Sequence, residues 1–401
     1  MDLPEPVIRA ITPDEREAGR QLRVMAFGST TFEEPDPNDH YAPNERRIGA
    51  FLDDRMIVHT AAWPFRQWWL GRPVPMAGIG GVASAPDVRG RGYGRLAMRG
   101  LVDACLELGD VVSTLYPSLP GFYRGLGWEV AGHVVTRRLP TQALTSLPRP
   151  GLDVTVRMMD VEADTDSAAA VLDRVASKSH GTVERGPEMH QRRFAPDDDM
   201  FQMVAVRDEV IVGYLAATKR SATEADHAPY RLKVHDLAAD DHDGWLALWS
   251  VIASHAGVCA VTDVVSRPHE PLYDLLPTNA FDDWTTTFPW MFRLLDAPGA
   301  IAARGWPAGA DAEVHLRVTD PWLDRNDGDW VLRVKGGEGS LEAGGAGTVG
   351  LDINTFATMY TGYALPVDLA WQRRLVGATG ADVSALTEAF RSPTPWCDTY
   401  F

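Results

Sequence analysis

The stretch from residue 46 to 65, RRIGAFLDDRMIVHTAAWPF, contains two runs rich in the residue types that favour β-strands. The polar residues 53–55 separate these runs, and this pattern predicts a β-hairpin. Residues 76–86, MAGIGGVASAP, are rich in glycine and valine and suit a buried strand that ends at Pro86. This part of the chain therefore predicts neighbouring strands.

The spacing of the hydrophobic residues then changes to that of a helix. From Gly94 the sequence GRLAMRGLVDACLELG places apolar side chains three and four residues apart as far as Gly109. Residues 110–118, DVVSTLYPS, predict another strand. The segment VRGRGYGR, residues 88–95, is thereby placed in a loop between a strand and a helix.

This loop combines three glycines, which have no side chain, with three positively charged arginines. The first amides of a helix are unpaired and, together with the helix dipole, attract anions. Glycine lets the backbone approach such a ligand closely. A pyrophosphate is the natural ligand, and a purely structural turn is the alternative. The spacing fits neither the dinucleotide fingerprint nor the P-loop. The loop residues are Arg89, Gly90, Arg91, Gly92, Tyr93, Gly94 and Arg95.

A second region repeats the pattern of the first in weaker form. Residues 203–219 predict the same strand–turn–strand as residues 49–65, and residues 231–257 predict the strand and helix that follow. In place of the glycine-arginine loop, residues 240–243 read Asp-Asp-His-Asp, and such carboxylates repel a pyrophosphate. These residues lie in one loop without helical metal-ligand spacing, and aspartate is a good helix N-cap, so no metal site is predicted.

The pattern of hydrophobic residues and glycines changes again beyond about Pro289. Residues 312–320 and 329–363 predict strands joined by glycine-rich hairpins, and residues 382–390, DVSALTEAF, predict a helix. The glycines from 336 to 350 lack the helix that a phosphate loop needs, so they indicate tight hairpins. The last region is therefore expected to be a module of sheet and helix.

Composition and charge limit the classes of partner. The chain has 401 residues, 45% of them hydrophobic, which is enough for two or three cores. Its formal charge of −17 argues against nucleic acid and fits an amine-bearing, polycationic partner. Neither a signal peptide nor an 18-residue apolar stretch is found, so a cytoplasmic protein without a membrane span is expected. Cys105, Cys259 and Cys397 are too scattered for a disulfide framework or a zinc site.

The glycine-arginine loop matches the pattern R-x-x-G-x-G, which resembles the acetyl-coenzyme A loop of the GNAT acetyltransferase superfamily. The downstream segment GFYRGLGWE resembles the second signature of that superfamily, in which a tyrosine, here Tyr123, precedes a turn into a strand. The resemblance implies that the loop amides hold the pyrophosphate of acetyl-CoA, while the preceding strand contacts its pantetheine arm. The implied coenzyme contacts are the seven loop residues, Val82, Ala83 and Ser84 of the strand, and Ser118.

Two further segments, LLDAPGAIAARGW at 294–306 and PWCDTYF at 395–401, extend the resemblance to the Eis-type (enhanced intracellular survival) N-acetyltransferases over essentially the whole chain. This resemblance implies an α/β (α+β) protein with tandem GNAT-like domains, the second degenerate, followed by a sterol-carrier-protein-like α+β domain. The expected boundaries are 1–150, 151–288 and 289–401. A homo-oligomer, commonly a hexamer, is also implied.

Members of the Eis type transfer acetyl from acetyl-CoA to amines, including several positions on aminoglycosides. The resemblance implies that Tyr123 is the general acid and that the carboxylate of Phe401, folded back into the active site, is the general base acting through water. An α-carboxyl group has a pKa of roughly 3.5, so desolvation or a water relay has to assist it. The alternatives are acetylation of peptide lysines or polyamines, and a non-catalytic protein that binds coenzyme or lipid.

Two groups of residues are candidates for the acceptor side. An acidic segment near the N-terminus suits a polyamine, with a solvated surface loop as the alternative. An aromatic group would wall a large pocket, or would belong to the core or a subunit interface. These residues are Glu33, Glu34, Asp36 and Asp39 in the acidic segment, and Trp63, Phe65, Trp68 and Trp69 in the aromatic group.

Overall fold

The computed structural model describes residues 5–28, 45–194, 199–222, 228–276, 285–397 and 399–400, with only the backbone at 188 and 191–193. These residues form two compact units. The first unit combines the described residues of Met1–Ala131 and Trp290–Ser392 with Tyr400. The second combines those of Gly132–Pro289 with those of Pro393–Thr399. Each unit is therefore built from segments that are distant in the sequence.

The strands are β1 Val7–Ala10, β2 Arg46–Leu52, β3 Arg55–Trp69, β4 Arg72–Ser84, β5 Val112–Leu115, β6 Glu129–Pro140, β7 Thr155–Met158, β8 Val183–Glu184, β9 Met200–Arg207, β10 Val210–Ser221, β11 Tyr230–Ala239, β12 Cys259–Ser266, β13 Thr285–Leu294, β14 Asp311–Thr319, β15 Gly328–Lys335, β16 Glu338–Ala343 and β17 Val349–Asp352. The helices are α1 Arg16–Phe27, α2 Tyr93–Glu107, α3 Pro120–Arg124, α4 Val161–Ser177, α5 Pro187–Phe194, α6 His242–Ala253, α7 Leu272–Leu275, α8 Ala297–Ala303, α9 Ile353–Tyr360, α10 Pro366–Trp371 and α11 Gly380–Ala389. Short 3-10 turns lie at Pro13–Glu15, Pro86–Val88 and Thr141–Ser146.

The large sheet of the first unit has the order β1–β2–β3–β4–β5–β13. Strands β2 and β3 form the predicted hairpin, in which Asp53 adopts a left-handed φ of 52°. Helix α2 connects the parallel strands β4 and β5 and buries Met98, Leu101, Val102 and Cys105. The predicted alternation of strand and helix around the glycine-arginine loop is thereby confirmed.

The sheet of the second unit has the order β6–β12–β11–β10–β9–β7. Strands β9 and β10 form an antiparallel hairpin, and Asp208 and Glu209 at its turn both have positive φ. Helix α6 then connects β11 to its parallel neighbour β12. This order of hairpin, strand, helix and strand repeats that of the first unit, which confirms the predicted weaker copy.

The third region forms a sheet with the order β16–β15–β14–β17. Gly336 and Gly337, with φ of 60° and 82°, make the tight turn between β15 and β16, as predicted. The strand prediction for the end of the stretch 329–363 was wrong, because residues Ile353–Tyr360 form helix α9. Asp352 caps this helix by accepting a hydrogen bond from the backbone amide of Thr355. Within the described part of the chain, no helix has the length and hydrophobicity needed to cross a membrane.

Candidate active site

Strands β4 and β5 part in the middle of the first unit. Their parallel pairing ends at Ile79 and Leu115, whereas β4 continues to Ser84 along its other neighbour, β3. Beyond Ile79, no strand among the described residues pairs with this edge of β4. The edge offers backbone groups to an extended ligand that carries amides, as a pantetheine arm does. Val82, Ala83 and Ser84, the strand residues predicted to contact coenzyme, lie on this stretch.

A β-bulge shapes the same stretch of β4. The pairing with β3 shifts between His59 and Ala61, where β4 has one extra residue, and Gly81 adopts a φ of 59°. Nδ1 of His59 donates to the carbonyl of Gly81 over 2.8 Å, and Nε2 accepts from Nη1 of Arg23 over 3.0 Å. Burial, assisted by the charge of Arg23, lowers the pKa of His59 to about 3, so the ring is neutral at pH 7. His59 therefore stabilises the bulge through a fixed tautomer.

The sequence analysis missed His59. Its one signal was a histidine inside the apolar run MIVHTAAW, and a satisfied core histidine gives the same pattern. The pairing of β3 with β4 is needed to show that this ring faces the bulge.

The glycine-arginine loop adopts the backbone that its glycines allow. Gly90 and Gly92 have φ of 77° and 84°, and a Cβ built on either would meet no atom within 4 Å. Gly92 is the N-cap of α2 and has no side chain with which to cap the first amides of the helix. The loop is thus open on its outer side and presents a helix N-terminus, the arrangement expected of an anion site.

The side chains of the loop have different surroundings. Arg89 donates from Nε to the carbonyl of Ser84 over 3.3 Å, and Arg95 donates from Nη1 to the carbonyl of Gly125 over 3.2 Å. Arg91 is exposed. The ring of Tyr93 is buried in the hydrophobic core, so its contribution to a coenzyme site would come from the backbone.

Tyr123 lies on the short helix α3, close to the start of α2. The neighbouring Phe122 shows how close the two helices are. A Cβ built on Gly94, in α2, would lie 3.6 Å from the Phe122 ring, and also 3.7 Å from Oγ of Ser84. The rings of Phe122 and Tyr123 are 5.1 Å apart. Burial raises the pKa of Tyr123 to about 12, so its hydroxyl keeps its proton at neutral pH. Ser118, just before α3, is exposed.

The third region holds α3 in place within the first unit. Nδ2 of Asn354, in α9, donates to the carbonyl of Arg124 over 3.1 Å and to that of Trp128 over 3.0 Å. Arg124 in turn donates from Nε to Glu129 over 2.9 Å. Because α3 has only five residues, these bonds fix the turn that carries Tyr123.

Some predicted site residues lie outside the described part of the chain. These include Phe401, the predicted general base, and the acidic group Glu33, Glu34, Asp36 and Asp39. The preceding residue, Tyr400, packs its ring 4.8 Å from the ring of Tyr116, which directly follows β5. In the aromatic group, Trp69 belongs to the core, where it contacts Phe292 and Tyr360.

The second unit differs from the first at the position of the loop. Asp241 caps α6 by accepting from the amide of Gly244 over 2.9 Å, as expected of an aspartate before a helix. Asp240 pairs with Arg174, and Asp241 also pairs with Arg207. A capping carboxylate thus occupies the helix N-terminus that the first unit leaves open.

Three consecutive parts of the chain match known protein families. Residues 7–131 and residues 181–294 each match an acetyltransferase (GNAT) domain. Residues 297–398 match a sterol carrier protein domain.

Known proteins are similar to this chain over nearly its full length. A crystal structure of a GCN5-related N-acetyltransferase from Kribbella flavida is 28% identical, with a TM-score of 0.85 over 99% of this chain and 98% of that one. Eis1 from Mycobacterium abscessus is 20% identical, with a TM-score of 0.80 over 99% of this chain and 100% of that one. An uncharacterised N-acetyltransferase from Streptomyces avermitilis is 24% identical over 97% of this chain and 98% of its own length.

The chain is an acyltransferase of the GNAT class. Its two GNAT domains are followed by a sterol carrier protein domain, and over its full length its fold is similar to that of Eis1. This confirms both the family resemblance and the fold class predicted from the sequence.

Proposed function

We propose that this protein transfers acetyl from acetyl-CoA to primary amines, with aminoglycosides as the acceptor class. The observation that carries the proposal is the convergence of three features in the first unit. These are the unpaired edge of β4, the open helix N-terminus at Gly92 and the buried hydroxyl of Tyr123. The strand edge suits the amides of a pantetheine arm, and the helix N-terminus suits a pyrophosphate. The hydroxyl can protonate the thiolate that leaves an acetyl thioester.

The coenzyme is assigned to the chain's own groups as follows. Backbone groups of residues 82–84 bind the pantetheine arm along the free edge of β4. The amides and guanidinium groups of residues 89–95 bind the pyrophosphate at the start of α2. Ser118, exposed before α3, is a further contact. Gly94 lies between Ser84 and Phe122, and therefore connects the pantetheine edge to the turn that carries Tyr123.

The proposed reaction is direct attack of the amine on the thioester carbonyl. A bond forms between the amine nitrogen and the carbonyl carbon, and the bond between that carbon and sulfur breaks. The carboxylate of Phe401 accepts a proton from the amine through a water molecule, and Tyr123 donates its proton to the leaving thiolate. The bulge that His59 stabilises fixes the backbone of β4 beside the reacting carbonyl.

The acceptor class rests on charge as well as on the family resemblance. The chain carries a formal charge of −17, and the N-terminal acidic segment adds carboxylates near the region that shapes acceptor sites in the superfamily. Polycationic amines are attracted to such a protein over long range. Polyamines and peptide lysines carry the same charge and are the alternatives that an assay has to separate.

The test measures thiol release from acetyl-CoA with aminoglycosides, polyamines and lysine peptides as acceptors. We expect Tyr123→Phe to reduce kcat about a hundredfold or more, as loss of a general acid implies, with coenzyme binding retained in calorimetry. One glycine added after Phe401 is expected to have a similar effect. Tyr363→Phe, in the third region, is the matched control and is expected to keep wild-type kcat.

The acceptor panel and the variants test different parts of the proposal. Wild-type rates in both the Tyr123 variant and the extended chain would overturn the mechanism. Turnover with lysine peptides or polyamines, but not with aminoglycosides, would overturn the acceptor class alone. Coenzyme binding without turnover for any amine would favour the non-catalytic alternative.

A further inference from the structure

The second unit repeats the parted strands of the proposed active site, and a small cavity lies at this position. The pairing of β11 with β12 ends at Val234 and Val264, and the pairing of β11 with β10 shifts at His235, as at the bulge of β4. The cavity at this position measures about 40 Å³. That is room for about three water molecules and not for a pantetheine arm. Trp249 of α6 and Trp396 of the C-terminal segment both line it.

The C-terminal segment, residues 393–399, is bound to the second unit by direct contacts. The backbone amide of Trp396 donates to the carbonyl of His180 over 2.7 Å. Nε of Arg185 donates to Oγ1 of Thr399 over 3.2 Å. The guanidinium of Arg267 lies 5.4 Å from the centre of the Trp396 ring, a cation–π distance. Backbone, hydroxyl and ring are thus each held by a different residue.

Close packing also encloses this segment. Gly181 has a φ of 91°, and a Cβ built on it would lie 3.2 Å from the amide nitrogen of Trp396. Glycine is needed there for both the backbone conformation and the close approach. Cys397 and Thr399 are buried. These contacts tie the segment to the second unit.

The compact unit to which the chain belongs changes after this segment. Thr399 belongs to the second unit, whereas Tyr400 belongs to the first and packs against Tyr116. Tyr116 follows Leu115, where β5 parts from β4. The anchored segment thus ends at Thr399, directly before Tyr400, whose ring contacts that of Tyr116.

We propose that the second unit is a clamp for the C-terminal segment, and that Trp396 and Thr399 are positioning residues for the terminal carboxylate. This inference rests on the proposed function, because it gives the clamp the task of holding the general base. The copy that lost its coenzyme loop thereby keeps a role in catalysis. Its parted strands receive the chain's own tryptophan in place of a coenzyme.

The first test is independent of catalysis. The full-length protein is incubated with a carboxypeptidase, and the release of Phe401 and Tyr400 is followed by mass spectrometry. A carboxypeptidase has to draw several residues into its active site, so an anchored segment is digested slowly. We expect Trp396→Ala to accelerate release at least tenfold. Trp371→Ala is the matched control, because that side chain is 85% exposed in the third region.

The second test measures kcat and the KM for acetyl-CoA separately. We expect Trp396→Ala to lower kcat about tenfold or more, as a displaced catalytic group does, and to leave this KM unchanged. Trp396→Phe is expected to restore most of kcat, because the indole Nε1 has no hydrogen-bond partner among the described residues. Thr399→Val is a milder variant in case Trp396→Ala does not fold. It removes the hydroxyl that accepts from Nε of Arg185 and keeps the side-chain shape.

The outcomes separate the clamp from the proposed function. Faster release together with a lower kcat supports the clamp. Unchanged release in both Trp396→Ala and Thr399→Val overturns it, and so does faster release with wild-type kcat. If the wild-type protein acetylates none of the amines and Trp396→Ala still accelerates release, the proposed function fails while the anchoring of the segment stands.

Discussion

Burial determines the chemistry of single residues at the proposed active site. The same desolvation that raises the pKa of Tyr123 to about 12 lowers that of His59 to about 3. Each group is thereby kept in its neutral, proton-donating form at pH 7: Tyr123 through its hydroxyl and His59 through Nδ1. Neither ring changes charge over the physiological range.

This burial predicts the shape of the pH–rate profile. A general acid works while it is protonated, so Tyr123, in its proposed role as the acid, is competent below its pKa of about 12 and fails only as the pH rises through that value. The acceptor amine becomes more reactive as it loses its proton. We therefore expect kcat to rise with pH and to show no falling limb between pH 7 and 10. A fall with an apparent pKa near 10, the ordinary value for tyrosine, would contradict this.

At this scale the sequence indicated some site residues and not others. The spacing of the glycines and the position of Tyr123 are local patterns, so they are visible in the sequence. His59 contacts Gly81 across two strands, and Asn354 contacts α3 from more than two hundred residues away. Such contacts depend on tertiary structure and leave no local pattern.

At the scale of elements, the start of a helix distinguishes the two copies. Helix α2 begins at Gly92 without a capping side chain, whereas α6 begins at Asp241, which caps it. An uncapped helix N-terminus keeps its amides available for an anion, and a capped one is stable without a ligand.

Removal of this cap should affect stability and not the coenzyme. We expect Asp241→Ala to lower the free energy of unfolding by about 1 kcal/mol in urea titrations, because α6 loses its N-cap. The affinity for coenzyme should stay at the wild-type value. Asp240→Ala is the control, since its exposed pair with Arg174 contributes less. A large loss of coenzyme affinity in the Asp241 variant would refute the difference between the copies.

The elements themselves were predicted well where their pattern was regular. The helix predicted to begin at Gly94 begins one residue earlier, at Tyr93. Helix α9 was missed because its sequence, INTFATMY, contains isoleucine and threonines, which favour strands. The Asp352 cap and the burial of nearly the whole helix override that preference.

At the scale of the whole molecule, a buried ion pair joins distant segments of the first unit. Nη2 of Arg293, in β13, donates to both carboxylate oxygens of Asp320, which follows β14, over 2.9 and 2.7 Å. The guanidinium carbon lies 5.4 Å from the centre of the Trp128 ring and 5.1 Å from that of Trp322. Burial lowers the pKa of Arg293 despite the adjacent carboxylate.

Breaking this pair should be costly because it leaves a charge in the core. We expect Asp320→Asn, which keeps the shape and removes the charge, to lower the free energy of unfolding by about 3–5 kcal/mol. Glu338→Gln, which removes an exposed pair with Arg72, is the matched control and should barely move the unfolding midpoint. Equal midpoints for the two variants in urea would contradict the role given to the buried pair.

The sequence does not reveal which strands far apart in the chain become neighbours in a sheet, and the pairing of β5 with β13 is an example. Nothing in the sequence around Leu115 indicates that its neighbour is Met291. The domain boundaries at 150 and 288 follow the order of the chain and stay predictions. The compact units are a different division, because residues 290–392 join the first unit and residues 393–399 join the second.

Strand β5 ends at Leu115, and its neighbour β13 ends at Leu294. During synthesis, β5 is therefore complete long before the ribosome has made β13. A ribosome that adds about 5–20 residues per second supplies that strand roughly 10–35 s later. Through this interval β5 has β4 as its only neighbour among the described strands and its other edge is unpaired, and such an edge is a surface from which aggregation begins.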